Sequence, residues 1–191
     1  MFHRFFGSKD ESADAPVERP VPPPPSDGAG DTATVRRIVA RLEAMPPEQA
    51  RFLAAAAYTL ARAANADLDI SDEETAAIEH ELQAHESIDE ATAVLVTEMA
   101  KLQAKTVGGT EDYVVTREFK GLSTEDQRLN MARACFTIAA ANGSISAEES
   151  AVANEIATEL DIDTATLAAL RAEFTDQMSA VQELRRITGA G

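Results

Sequence analysis

At 191 residues the chain is long enough for one ordinary domain with a sizeable core, or for two small halves packed as one unit, and leaves little room for two independent domains. Its apolar fraction of 45% comes mostly from alanine and leucine, while aromatics make up 5% and tryptophan is absent; this balance favours close helix packing over a β-sandwich and sets the fold class as all-α. A formal charge of −16, from 17 basic and 33 acidic side chains, argues against nucleic acid as a partner, because phosphate neutralisation needs a clustered Lys/Arg surface, and leaves cations and other proteins as partners.

Residues 1–30 hold six of the eight prolines, including Pro22-Pro23-Pro24-Pro25, followed by Ser26-Asp27-Gly28-Ala29-Gly30. Such a segment cannot bury a core and reads as a disordered proline-rich tail ahead of a helical domain over 31–191. Its opening, Met1-Phe2-His3-Arg4-Phe5-Phe6-Gly7, packs three phenylalanines around one histidine and one arginine. That suits a partner-docking element or weak peripheral membrane contact, and is too short to anchor a membrane alone. It runs straight into Ser8-Lys9-Asp10-Glu11 without the continuous apolar region of a secretory signal, and no later stretch approaches the roughly 20 apolar residues that span a bilayer. With a single cysteine, a reducing cytoplasm is the expected compartment.

From Asp31 the apolar spacing turns helical, with Val35, Ile38, Val39 and Leu42 on one face and a stop at Pro46-Pro47. The next helix, over about 47–64, is apolar nearly all round in Phe52-Leu53-Ala54-Ala55-Ala56-Ala57-Tyr58-Thr59-Leu60, as a central buried helix should be. A third begins near Ser71, and a fourth follows Ile88 with Ala91, Val94, Leu95 and Met99. Gly108-Gly109 then divides the chain into two related halves. Beyond it the pattern predicts helices around 111–119, 124–141, 147–160 and 164–186. The expectation is a compact bundle of about seven or eight helices.

The most informative feature is a duplication at an offset of 75 residues between 64–74 and 139–149. Ala64-Asn65-Ala66-Asp67-Leu68-Asp69-Ile70-Ser71-Asp72-Glu73-Glu74 aligns with Ala139-Ala140-Ala141-Asn142-Gly143-Ser144-Ile145-Ser146-Ala147-Glu148-Glu149. Every position has a folding task. Asn142-Gly143 suits the left-handed residue that closes a helix, with Asp67 in the corresponding place of the first copy. Ser71 with Glu74, and Ser146 with Glu149, form S-x-x-E capping boxes, and Ile70 and Ile145 stand where hydrophobic staples belong. The functional alternative is a hard-cation site: Asp67, Asp69, Glu73 and Glu74 crowd carboxylates into one turn, and all-oxygen ligands favour calcium, magnesium or manganese. The spacing is not that of an EF-hand, because Asp72 and Ile78 fall where that loop needs glycine and glutamate. The second copy offers a poorer set in Asn142, Ser144, Glu148 and Glu149.

An alanine-rich helix, then Asp/Asn-(Gly)-x-Ile-Ser-x-x-Glu, then an amphipathic helix resembles the TerB-like family, which includes tellurite-resistance proteins and the N-terminal domain of DjlA-type co-chaperones. The likeness is clearest over 129–174, with Glu155-Ile156-Ala157-Thr158-Glu159-Leu160-Asp161-Ile162 after the motif, and with the first copy it covers most of 47–175. It implies a compact helical bundle, membership of stress-response systems, and metal binding by acidic loop residues, which by position are Asp67, Glu74, Asn142 and Glu149. Two residues depart from the family pattern. Asn142 stands for an aspartate and removes a charge, and Leu68 stands for a glycine, which implies a different turn geometry in the first copy. No His-Pro-Asp tripeptide is present, so co-chaperone activity is not inherited.

Other chemistry is absent from the pattern. His80 and His85 sit five residues apart, off the i, i+4 spacing of a two-histidine site, and read as exposed. No phosphate loop, nucleophile elbow or cysteine–histidine pair appears, and Cys135 in Met131-Ala132-Arg133-Ala134-Cys135-Phe136 reads as a small buried side chain. The expected function is a non-enzymatic stress-response or interaction module, with Asp67, Asp69 and Glu74 the first candidates for a divalent cation. The alternative is a protein-binding scaffold, tethered near a membrane by its tail and without a metal site.

Overall fold

A computed structural model describes residues 36, 39, 40, 42–86, 88–107 and 110–189. The tail expected over 1–30, its opening phenylalanines and Gly108-Gly109 lie outside the described residues, as do Val35 and Ile38. Residues 36, 39, 40 and 42–44 are helical, and that stretch ends at Met45 before Pro46.

Eight α-helices follow among the described residues: α1 (Pro47–Ala64), α2 (Asp72–Glu86), α3 (Glu90–Val107), α4 (Thr110–Leu122), α5 (Glu125–Ala139), α6 (Ala147–Glu159), α7 (Thr164–Glu173) and α8 (Ser179–Thr188). Proline opens α1, where its missing N–H is no loss. Thr124 caps α5 in a reciprocal box with Gln127. At α7 the Asp163 carboxylate accepts from the Ala165 and Thr166 N–H groups and from the Thr166 hydroxyl, and these hydrogen bonds hold its pKa down.

The duplication is visible in the packing. Helices α1 and α5 end, and α2 and α6 begin, at the same 75-residue offset. α1 lies against α5, while α1 meets α6 and α2 meets α5, the reciprocal contacts that two halves related by an approximate twofold would make. α1 is the hub, touching α2, α3, α4, α5 and α6. Its alanines make this possible: Ala55, Ala56, Ala57, Ala61, Ala63 and Ala64 are all buried, and small side chains let several helices approach one axis. Larger side chains fill the gaps between layers, among them Ile78 and Leu82 from α2, Phe119 from α4, Phe136 and Ile138 from α5, and Ile156 from α6. Phe52 meets Phe119 with ring centroids 5.0 Å apart, and Phe136 stacks on Phe174 at 5.6 Å.

Cys135 is fully buried on α5, and loss of solvation pushes its thiol up to about 12, so no reactive thiolate forms near neutral pH. His80 is exposed. The side chain of His85 lies outside the described residues. Among the described residues, no helix is long and apolar enough to cross a membrane.

One expected helix is not continuous. The apolar periodicity over 164–186 predicts a single element, yet the chain leaves the helix at Phe174, makes a 3₁₀ turn over Thr175–Gln177 and passes through extended backbone at Met178 before α8 begins. The cause is tertiary. The Ile145 N–H donates to the Gln177 carbonyl at 2.7 Å, and the Ser179 N–H donates to the Ile145 carbonyl at 2.9 Å, a short parallel bridge that an unbroken helix would forbid.

Candidate functional site

The two duplicated corners fold alike. In the first, α1 closes at Ala64, a 3₁₀ turn covers Asn65–Asp67, and Leu68 takes the left-handed conformation at φ 71° with its N–H on the Asn65 carbonyl. In the second, Gly143 takes φ 91° with its N–H on the Ala140 carbonyl. Asp67 Oδ1 accepts from the Asp69 N–H at 3.1 Å, and Asn142 Oδ1 accepts from the Ser144 N–H at 3.1 Å, so aspartate and asparagine close the same Asx turn.

Two expectations are thereby corrected. The positive φ falls at Leu68, not Asp67, and the leucine does not change the turn. Its side chain is 82% exposed and gains nothing from the strained backbone, which costs about 1–2 kcal/mol in a left-handed non-glycine residue. Leu68→Gly is therefore expected to raise stability by about 0.5–1 kcal/mol once glycine's extra unfolded-state entropy is subtracted, readable as a higher urea midpoint at unchanged slope.

Both capping boxes form. The Glu74 N–H donates to Ser71 Oγ at 3.2 Å, while Glu74 Oε2 accepts from the Ser71 N–H at 2.8 Å and from its hydroxyl at 2.7 Å. The Glu149 N–H donates to Ser146 Oγ at 3.1 Å, and Glu149 Oε2 accepts from the Ser146 N–H at 2.6 Å. Ile70 and Ile145 are buried beside them.

The packing of one half on the other adds what neither copy has alone. The turn at Asn65–Asp67 packs against α6, the helix launched by the second corner, and so sets Glu74 within electrostatic reach of Glu149 and Asp67. Glu74 and Glu149 are buried, at 3% and 4% exposure, whereas Asp67, Asp69, Glu73 and Asn142 are exposed. Burial pushes the Glu74 carboxyl above its ordinary 4.5, the Ser71 hydrogen bonds pull it back, and the negative charges of Glu149 and Asp67 add to the rise. Among the described residues, no three His, Cys, Asp or Glu side chains stand as a ready ligand set.

A second polar centre lies in the same bundle. Arg62, 8% exposed near the end of α1, donates to Glu159 at 2.6 and 3.3 Å and to the Thr116 hydroxyl at 3.0 Å; it also meets Glu155 at 3.2 Å and Asp112 at 3.9 Å. The Tyr58 hydroxyl donates to Asp112 at 2.8 Å. Burial works against the guanidinium charge, but the Glu159 hydrogen bond and the surrounding carboxylates outweigh it and raise the pKa. Reading the chain missed this clamp of α1 to α4 and α6. The signal was one arginine inside Tyr58-Thr59-Leu60-Ala61-Arg62-Ala63-Ala64, an apolar run where a charge needs partners.

Comparison with known families gives one match. The family model for the tellurite resistance protein TerB covers residues 52–172, a span that takes in both corners and the Arg62 clamp. No curated protein and no solved structure matches the chain.

Proposed function

The chain belongs to the TerB family of tellurite resistance proteins, and from that premise we propose that it is a non-enzymatic interaction module of a stress response, whose paired corners take up a divalent cation. The observation that carries the cation is the juxtaposition of Glu74 and Glu149. Two buried carboxylates come from separate repeats, and the charges of Glu149 and Asp67 are felt at Glu74, a repulsion that a cation drawn in between them would relieve. Among the described residues, the hydrogen bonds to both glutamates fall on Oε2, which leaves each Oε1 for a ligand. Asp67 commits Oδ1 to the Asx turn and keeps Oδ2. Carboxylate, amide and water oxygens suit calcium, magnesium or manganese, with Asp69 and Asn142 on the exposed rim and water completing the shell.

The interaction half of the reading draws on α8. Leu184 and Ile187 stand three residues apart on it, 61% and 72% exposed, an apolar stripe of the kind that meets another protein. Calorimetric titration of the chelator-treated protein with calcium, magnesium and manganese tests the cation. Measurable heat and a higher melting temperature for at least one of them, both lost in Glu74→Gln, are expected; flat heats and an unmoved melting temperature for all three would remove the cation from the reading.

A further inference from the structure

A second feature is an open apolar groove of about 640 Å³ between α1, α3 and α4. Its floor is small, with buried Ala57 and Ala100, and its rim carries exposed Ala54, Met99 and Val114, the last two 56% and 60% exposed. A small floor between apolar walls leaves room for large side chains. Leu42, from the helical stretch that precedes α1, also lines it. The described stretch ahead of α1 therefore reaches the bundle at the groove through Leu42.

We infer that this groove is the docking site of the chain's own residues 1–7, through Phe2, Phe5 and Phe6. Three of the seven phenylalanines of the chain fall in those residues, a concentration of large apolar side chains that the small-floored groove can bury. Charge permits the same pairing. Residues 1–9 contain Arg4 and Lys9 and no acid, residues 31–191 carry 14 basic against 28 acidic side chains, and the two charged residues that line the groove, Arg51 and Glu118, pair with each other. Length permits it: the 28 residues between Gly7 and Arg36 can reach at most about 100 Å, far more than the groove requires. Joining the two by one chain raises the local concentration of the segment to roughly millimolar, so modest intrinsic affinity suffices.

The chain contains no tryptophan, so Phe5→Trp gives the full-length protein a single reporter. Docking predicts blue-shifted emission and several-fold weaker acrylamide quenching than for a peptide of residues 1–9 carrying the same change. The shielding should be independent of protein concentration and lost when Met99→Glu or Ala54→Glu charges the groove, with helicity unchanged because both positions are exposed. A water-exposed indole in the intact chain would overturn the inference, including one shielded only after anionic vesicles are added. So would shielding that grows with protein concentration, which would place a second copy in the groove, or shielding that survives both groove variants.

Discussion

Arg62→Met is expected to lower the unfolding free energy by about 3 kcal/mol or more. The estimate follows from what the substitution leaves behind. Glu159 is only 11% exposed and takes its closest hydrogen bond from Arg62, so its charge would stay largely desolvated without a cation. Glu155, at 62% exposure, and Asp112, which keeps the Tyr58 hydroxyl, would suffer less. Arg62→Lys should fail to restore stability, because one ammonium cannot span Glu159 and Thr116 as the planar guanidinium does. Pairing Arg62→Met with Glu159→Leu should recover most of the loss. Urea unfolding of the two singles and the double checks this, and a single-variant loss below about 1 kcal/mol would mean that the clamp contributes little.

Ile145→Ala is expected to cost about 2–5 kcal/mol, the range for emptying a buried isoleucine site. Ile145 is 1% exposed, and its backbone bridges to Gln177 and Ser179, so the cavity would open where the second corner grips the segment leading into α8. The equivalent Ile70 has no such bridge among the described residues, and Ile70→Ala should remove a comparable side chain without loosening α8. Amide exchange separates the two. Faster exchange over 179–188 is predicted for Ile145→Ala and not for Ile70→Ala, and equal protection in both would contradict the gripping role.

These residues also show what could be read from the chain beforehand. The corners were legible because their parts are local: Ser71 and Glu74 lie three residues apart, as do Ser146 and Glu149, and a capping box needs nothing from elsewhere. The hub role of α1 was legible in its alanines. Leu68 was misread because residue type alone suggested a changed turn, whereas the surrounding hydrogen bonds impose φ 71° on an unfavourable side chain. The break after Phe174 and the Arg62 clamp were invisible because their partners lie 32 to 97 residues away in sequence, at Ile145 for the first and at Asp112, Thr116 and Glu159 for the second. The approach of Glu74 to Glu149 was hidden for the same reason, since only the packing of one half on the other brings the copies together.

That approach is the centre of the account, and a double-mutant cycle on Glu74→Gln and Glu149→Gln in chelator tests it most directly. Glutamine keeps the capping box, so each change removes charge and little else. Folded Glu74 holds its proton more tightly than in the unfolded chain, so stability is greatest with the carboxyl protonated and falls as pH rises from about 4.5 through the raised folded value. The predicted result at neutral pH is that either substitution relieves the repulsion and the double gains less than the sum by at least about 0.5 kcal/mol, with Glu149→Gln shrinking the fall in stability across that pH window. Additivity to within about 0.3 kcal/mol, with an unchanged pH profile, would mean that the two corners do not sense each other.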